Sequence, residues 1–163
     1  MASQEEVDQD WGALADLEAV DRETKMLARY SELAATSEEE RQAKLRAMAR
    51  AEYALPDEML RLFTVSRMRT WLTLDYEKAA SIAQSYDAIM QGMPGAAAMR
   101  RVTLVQQLVA EFSAEEEARL RELVPKVFAG APGRMAALER PELPVETRGL
   151  PSRKPWWAFW RKA

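Results

Sequence analysis

The chain has 163 residues, 48% of them hydrophobic and 30% charged, which suits one cored domain with arms and is too apolar for wholesale disorder. It contains no cysteine and no histidine, which excludes disulfides, thiolate chemistry, Ser-His and Cys-His nucleophiles and the commonest metal ligand. The net charge of −3 hides an uneven distribution: residues 1–40 carry 12 acidic and 3 basic side chains, residues 41–110 carry 6 and 10, and residues 141–163 carry 2 and 5. An acidic first segment beside a basic middle reads most simply as a helix packed on a neighbour of opposite charge, or as a solvated face.

Helix formers dominate the first 140 residues, and alternating β-branched or aromatic runs are absent, so the expected fold is all-α. The expected architecture is a compact bundle of five or six helices with a long acidic N-terminal helix and an extended Pro-rich C-terminal tether. Three segments are expected: the acidic helix (1–36), the bundle (37–140), and the tether with its basic aromatic tail (141–163).

The spacing predicts a first helix from about Gln4 to Ala35. Val20, Thr24, Leu27, Ser31 and Ala34 follow a 4-3-4-3 step, widened by Tyr30 and Leu33, and Trp11, Leu14 and Leu17 form a separate apolar group. A helix of that length with two patches reaches beyond its own domain or pairs with a second copy, so a homo-oligomer through this helix is an expectation.

Ser37 and Glu40 have capping-box spacing and open a second helix to about Tyr53. The third runs from about Pro56 to Leu74, is apolar on most sides, and is expected at the centre. The fourth, from about Asp75 to Gln91, carries the seam Tyr76, Ala79, Ala83, Tyr86, Met90 and Met93, read as core packing. Gly92-Met93-Pro94-Gly95 stops it. A fifth helix to about Phe112 presents Met99, Val102, Val105, Val109 and Phe112 on one face. Ser113 and Glu116 cap a sixth, which ends near Pro125. A short helical turn is expected around Arg134 to Leu138.

No glycine-rich phosphate loop, Walker lysine or dinucleotide fingerprint is present. The carboxylate runs Glu38–Glu40 and Glu115–Glu117 each fall in the first turn of an expected helix, where they complement the dipole rather than bind metal. No catalytic, cofactor or metal site is expected, and the chain reads as non-enzymatic. Arg61, Arg67, Arg69, Arg100 and Arg101 raise the question of nucleic-acid binding, helped by a loose helix-turn-helix likeness over Arg69 to Met90. Carboxylate pairing of Arg67 and Arg69 is the better reading, because the middle is only mildly basic and the acidic first segment repels phosphates.

The most informative stretch is Pro155-Trp-Trp-Ala-Phe-Trp-Arg-Lys-Ala163. It holds three of the five tryptophans, with Arg153 and Lys154 before them and Arg161 and Lys162 after, and no acidic residue follows Glu146. Indole rings favour the headgroup level of a bilayer, and flanking cations favour an anionic surface. Trp156, Trp157, Phe159 and Trp160 are the expected inserting anchors, and Arg153, Lys154, Arg161 and Lys162 the electrostatic contacts.

The expected function is a helical adaptor or assembly subunit held at an anionic membrane surface by this tail. The alternative is a short Trp motif that docks into a groove of a larger protein complex. A third use of the tryptophans is to fold back over an apolar groove of the chain's own domain. No run approaches the ~20 apolar residues of a membrane span, and the acidic N-terminal region has no apolar signal core, so the expected location is a bacterial cytoplasm, peripheral to the inner face of the membrane.

Overall fold

Serine caps and proline or glycine breaks set the helix ends in the structure, a computed structural model that describes residues 10–129. The helices are α1 (Ala19–Ala34), α2 (Glu38–Tyr53), α3 (Asp57–Thr73), α4 (Tyr76–Gln91), α5 (Gly95–Leu108) and α6 (Ala114–Leu123). Two 3-10 turns, Leu14–Asp16 and Val109–Glu111, precede α1 and α6, and no strand occurs among the described residues. No helix among them is long and apolar enough to cross a membrane.

Both serine caps form. Ser37 Oγ accepts from Glu40 N at 3.3 Å, while the Glu40 carboxylate takes Lys44 Nζ at 2.6 Å. At α6 the box is reciprocal: Ser113 Oγ accepts from Glu116 N at 3.2 Å, and Glu116 Oε2 accepts from Ser113 N at 2.8 Å. The helix over the basic region starts at Gly95 as expected but stops at Leu108, where the backbone tightens into the 3-10 turn. Val105, Val109 and Phe112 of its expected face are buried, and Met99 stands 65% exposed.

The single long first helix is not what forms. Residues 10–13 are helical, the 3-10 turn follows, Leu17 is extended, and α1 starts afresh at Ala19. The cause is a side chain. Arg22 Nη1 donates to the carbonyls of Ala15 at 3.2 Å and Leu17 at 3.1 Å, acceptors that an unbroken helix would fill with its own amides. Its Nε donates to Ser66 Oγ on α3 at 2.9 Å. The break turns Trp11 inward, where it meets Tyr30 and Phe63 edge to face at 5.5 and 5.7 Å. The inward stripe of α1 is therefore Arg22, Met26, Tyr30 and Leu33, and Val20, expected on it, is 75% exposed.

α3 is central: it touches α1, α2, α4, α5 and α6. One core runs through the described residues, from Trp11 and Met26 through Phe63, Trp71, Ile82 and Tyr86 to Leu120 and Phe128. At roughly 25 cal/mol per Å² of apolar surface removed from water, such a core supplies the main drive to fold. The seam of α4 lies in it from Ala79 to Met90, whereas Tyr76, at the helix start, is 51% exposed.

Candidate functional sites

At the middle of the core sits a polar centre built by three helices. Arg67 of α3, Glu52 of α2 and Tyr86 of α4 are each at most 1% exposed. Arg67 Nη1 pairs with Glu52 Oε1 and also donates to Tyr86 Oη at 2.8 Å. Tyr86 Oη donates in turn to Glu52 Oε2 at 2.8 Å, closing the ring of contacts. The guanidinium also lies over the rings of Trp71 and Tyr86, at 5.4 and 4.8 Å from their centroids.

Burial pulls the Arg67 guanidinium down, but Glu52 together with the phenols of Tyr86, Tyr53 and Tyr30 outweighs it and holds the group well above its ordinary range. Burial raises the phenols of Tyr30, Tyr53 and Tyr86, so all three stay protonated through neutral pH. The charges are opposite and mutually bonded, and the side chains are closed to solvent. This arrangement fixes three helices in register and presents no reacting group to a substrate.

Four further arginines of the basic middle, Arg61, Arg69, Arg100 and Arg101, are also matched with carboxylates. Arg101 of α5 pairs with Asp87 of α4, both nearly buried, with its guanidinium 5.3 Å from the Tyr86 ring. Arg100 pairs with Asp57 and donates to the α2-terminal carbonyls of Tyr53 and Leu55 at 3.0 and 3.1 Å. Arg61 pairs with Glu111, and Arg69 meets Glu23 at 3.7 Å. The expected carboxylate partners of Arg67 and Arg69 are thus Glu52 and Glu23. Arg41 and Arg119 hold carbonyls as well, Thr36 O at 3.0 Å and Leu74 O at 2.8 Å.

No cluster of metal-ligating side chains occurs among the described residues. Of the two carboxylate runs, Glu38, Glu39 and Glu40 lie in the first turn of α2, and Glu115, Glu116 and Glu117 in that of α6. Glu117 turns inward and accepts from Arg121 Nε at 3.0 Å.

The surface offers open grooves. One of about 430 Å³ lies between the start of α3 and α5, floored by Leu60 and Leu104, with Arg61 and Arg100 opposite Asp57 and Glu58. Another, about 400 Å³, runs beside Tyr53, Ile89 and Met93 with Arg46 and Arg50 on its rim. A third, about 500 Å³, lies between α4 and α6 over Leu72 and Tyr76, rimmed by Glu115, Glu116 and Glu122. A smaller one of about 150 Å³ is lined in part by Asp87, Arg101 and Lys126.

The sequence-derived site residues Arg153, Lys154, Trp156, Trp157, Phe159, Trp160, Arg161 and Lys162 lie outside the described residues, as do the expected tether and the Arg134–Leu138 turn. An apolar groove on the domain is among the expectations, but its place is not: by spacing, Tyr76 belongs to the core seam and Glu115 to a helix cap. The available signal was Tyr76 beside Asp75 and Glu77 at a helix start, a poor setting for a buried ring. No family model, no curated protein and no solved structure matches the chain.

Proposed function

We propose that the chain is a non-enzymatic helical adaptor that attaches reversibly to anionic membrane surfaces through residues 153–162. The observation that carries this reading is the composition of that segment: four cations and four large aromatics in ten residues, with no carboxylate among them. The described body supports it by contrast, since its buried arginines are committed to partners within the fold.

Magnitudes set the kind of attachment. Four aromatic side chains about half inserted contribute roughly 4 kcal/mol. Four cations near an anionic surface add about 1 kcal/mol each. Ordering the segment subtracts part of this, so one copy binds with a Kd of about tens of micromolar or weaker. Such a contact is reversible for one copy and firm for an assembly of several.

The test is co-sedimentation of the full chain with phosphatidylserine-containing and purely zwitterionic liposomes, beside Trp156→Ala/Trp157→Ala/Trp160→Ala. Binding to the anionic liposomes that weakens with salt and is lost in the triple variant supports the reading. Equal sedimentation of the two proteins, or none of either, overturns it.

A further inference from the structure

The groove between α4 and α6 differs from the others in charge. Its rim carries Glu115, Glu116 and Glu122 against the single cation Arg119, a net of −2. The groove between α3 and α5 is balanced, the one beside Tyr53 has a net of +2, and the small one near Val127 has +1. All three rim glutamates are exposed. The floor is apolar, with Leu72 half-buried and the Tyr76 ring 51% exposed. Arg119 is turned to the Leu74 carbonyl at 2.8 Å.

An exposed aromatic ring beside a carboxylate rim suits a ligand that is both aromatic and cationic. Residues 153–162 have that composition, at +4 with three indoles. Indole rings stack edge to face on tyrosine, and cations at the ends of such a segment meet carboxylates on the rim. The route is short. Phe128, buried under the Arg121 guanidinium at 4.5 Å, keeps the end of the described chain beside α6, and Ala129 comes only a few residues after Glu122. The stretch between Ala129 and Arg153, 23 residues, spans at most about 80 Å when fully extended, ample for any face of the domain. A link of that length holds its end at an effective concentration of about a millimolar, so even a weak site is occupied within one molecule.

We propose that the α4–α6 groove is the docking surface for residues 153–162 of the same chain, and that the groove and an anionic membrane compete for the segment. The competition rests on the membrane reading; the docking itself does not. A chain closed about four-fifths of the time binds liposomes about fivefold more weakly than an open one.

Because the chain lacks cysteine, Ser152→Cys gives a unique site for a nitroxide label. In lipid-free buffer at low salt, amide signals of Tyr76, Ala118 and Glu122 in the full-length protein should broaden. The broadening should vanish in Glu115→Lys/Glu122→Lys and persist in Glu38→Lys/Glu39→Lys, which makes the same charge change on the first turn of α2. A mixture of nitroxide-labelled chains with isotope-labelled, spin-free chains should show none. In liposome sedimentation the first double variant should bind about fivefold tighter than the second. Absent broadening, broadening centred on the α3–α5 groove, or broadening only between copies overturns the docking. Docking with equal liposome binding of the two variants overturns the competition alone.

Discussion

Arginine serves two ends in this chain, and the contrast between the basic middle and residues 153–162 separates them. In the middle, Arg61, Arg67, Arg69, Arg100 and Arg101 each have a carboxylate partner on another element of the fold. Within residues 153–162, four cations have four large aromatics between or beside them and no acid. A cation with a carboxylate brought to it by the fold fixes helices against one another. A cation placed beside indoles and far from any acid is suited to a partner outside the domain, or to a rim of carboxylates on its surface. Local charge density does not distinguish the two; the identity of the neighbours does.

The comparison breaks most sharply at the polar centre. Arg67→Met or Glu52→Gln strands a buried charge and should cost about 3–5 kcal/mol by urea unfolding. Replacing the whole set, Glu52→Leu/Arg67→Met/Tyr86→Phe, should recover most of that loss, since a buried pair replaced by apolar groups is often neutral. If the triple variant is as unstable as either single one, the centre contributes more than matched charge.

Next in size is the membrane contact. Removing three indoles from residues 153–162 should weaken binding to anionic liposomes by about 100-fold, from about 1 kcal/mol per half-inserted ring. The same triple variant should lower the stability of the domain by no more than about 1 kcal/mol, which is what a segment docked four-fifths of the time contributes.

The buried phenols give a pH signature. A phenol whose pKa is raised on folding contributes stability that is complete below its unfolded value of about 10 and is lost as pH climbs above it. Tyr30, Tyr53 and Tyr86 all shift in that direction. Stability should therefore fall above pH ~10 with a slope approaching ~1.4 kcal/mol per pH unit for each of them. Phenolate absorbance from three of the four tyrosines should rise only together with loss of the helical circular dichroism.

The smallest effects should lie at the rim of the domain. Arg100→Ala uncovers two carbonyls at the end of α2 and should cost about 1–2 kcal/mol. Arg61→Ala removes an exposed pair and should cost about 0.5 kcal/mol or less. The ordering Arg67, Arg100, Arg61 is the checkable content, read from one series of urea curves.

What could be read in advance follows from how local the cause is. Ser37, Ser113, Pro56 and the Gly92–Gly95 stretch act within one turn, and the helices they bound stand where spacing places them. The break at residues 14–18 is not local: it depends on Arg22, several residues later, reaching the Ala15 and Leu17 carbonyls and Ser66 on another helix. Val20 sat on the sequence stripe because periodicity counts apolar residues, and the true stripe contains an arginine. That Arg67 pairs with a carboxylate was legible from its place in a densely apolar helix. That the partner is Glu52, with Tyr86 completing the set, required the packing of α2 and α4. The tail chemistry was legible because its residues are contiguous, and the α4–α6 groove was not, because Tyr76 and Glu122 are far apart in sequence.

Attachment of residues 153–162 to an anionic membrane is measured directly by tryptophan quenching of the full chain with anionic liposomes made with brominated lipids. Trp11 and Trp71 are 5% and 2% exposed within the described core and serve as an internal reference beyond the reach of the bilayer. A blue shift and quenching should be confined to the emission of Trp156, Trp157 and Trp160, reversed by salt and absent with zwitterionic lipid. Emission unchanged by brominated anionic lipid would contradict that attachment.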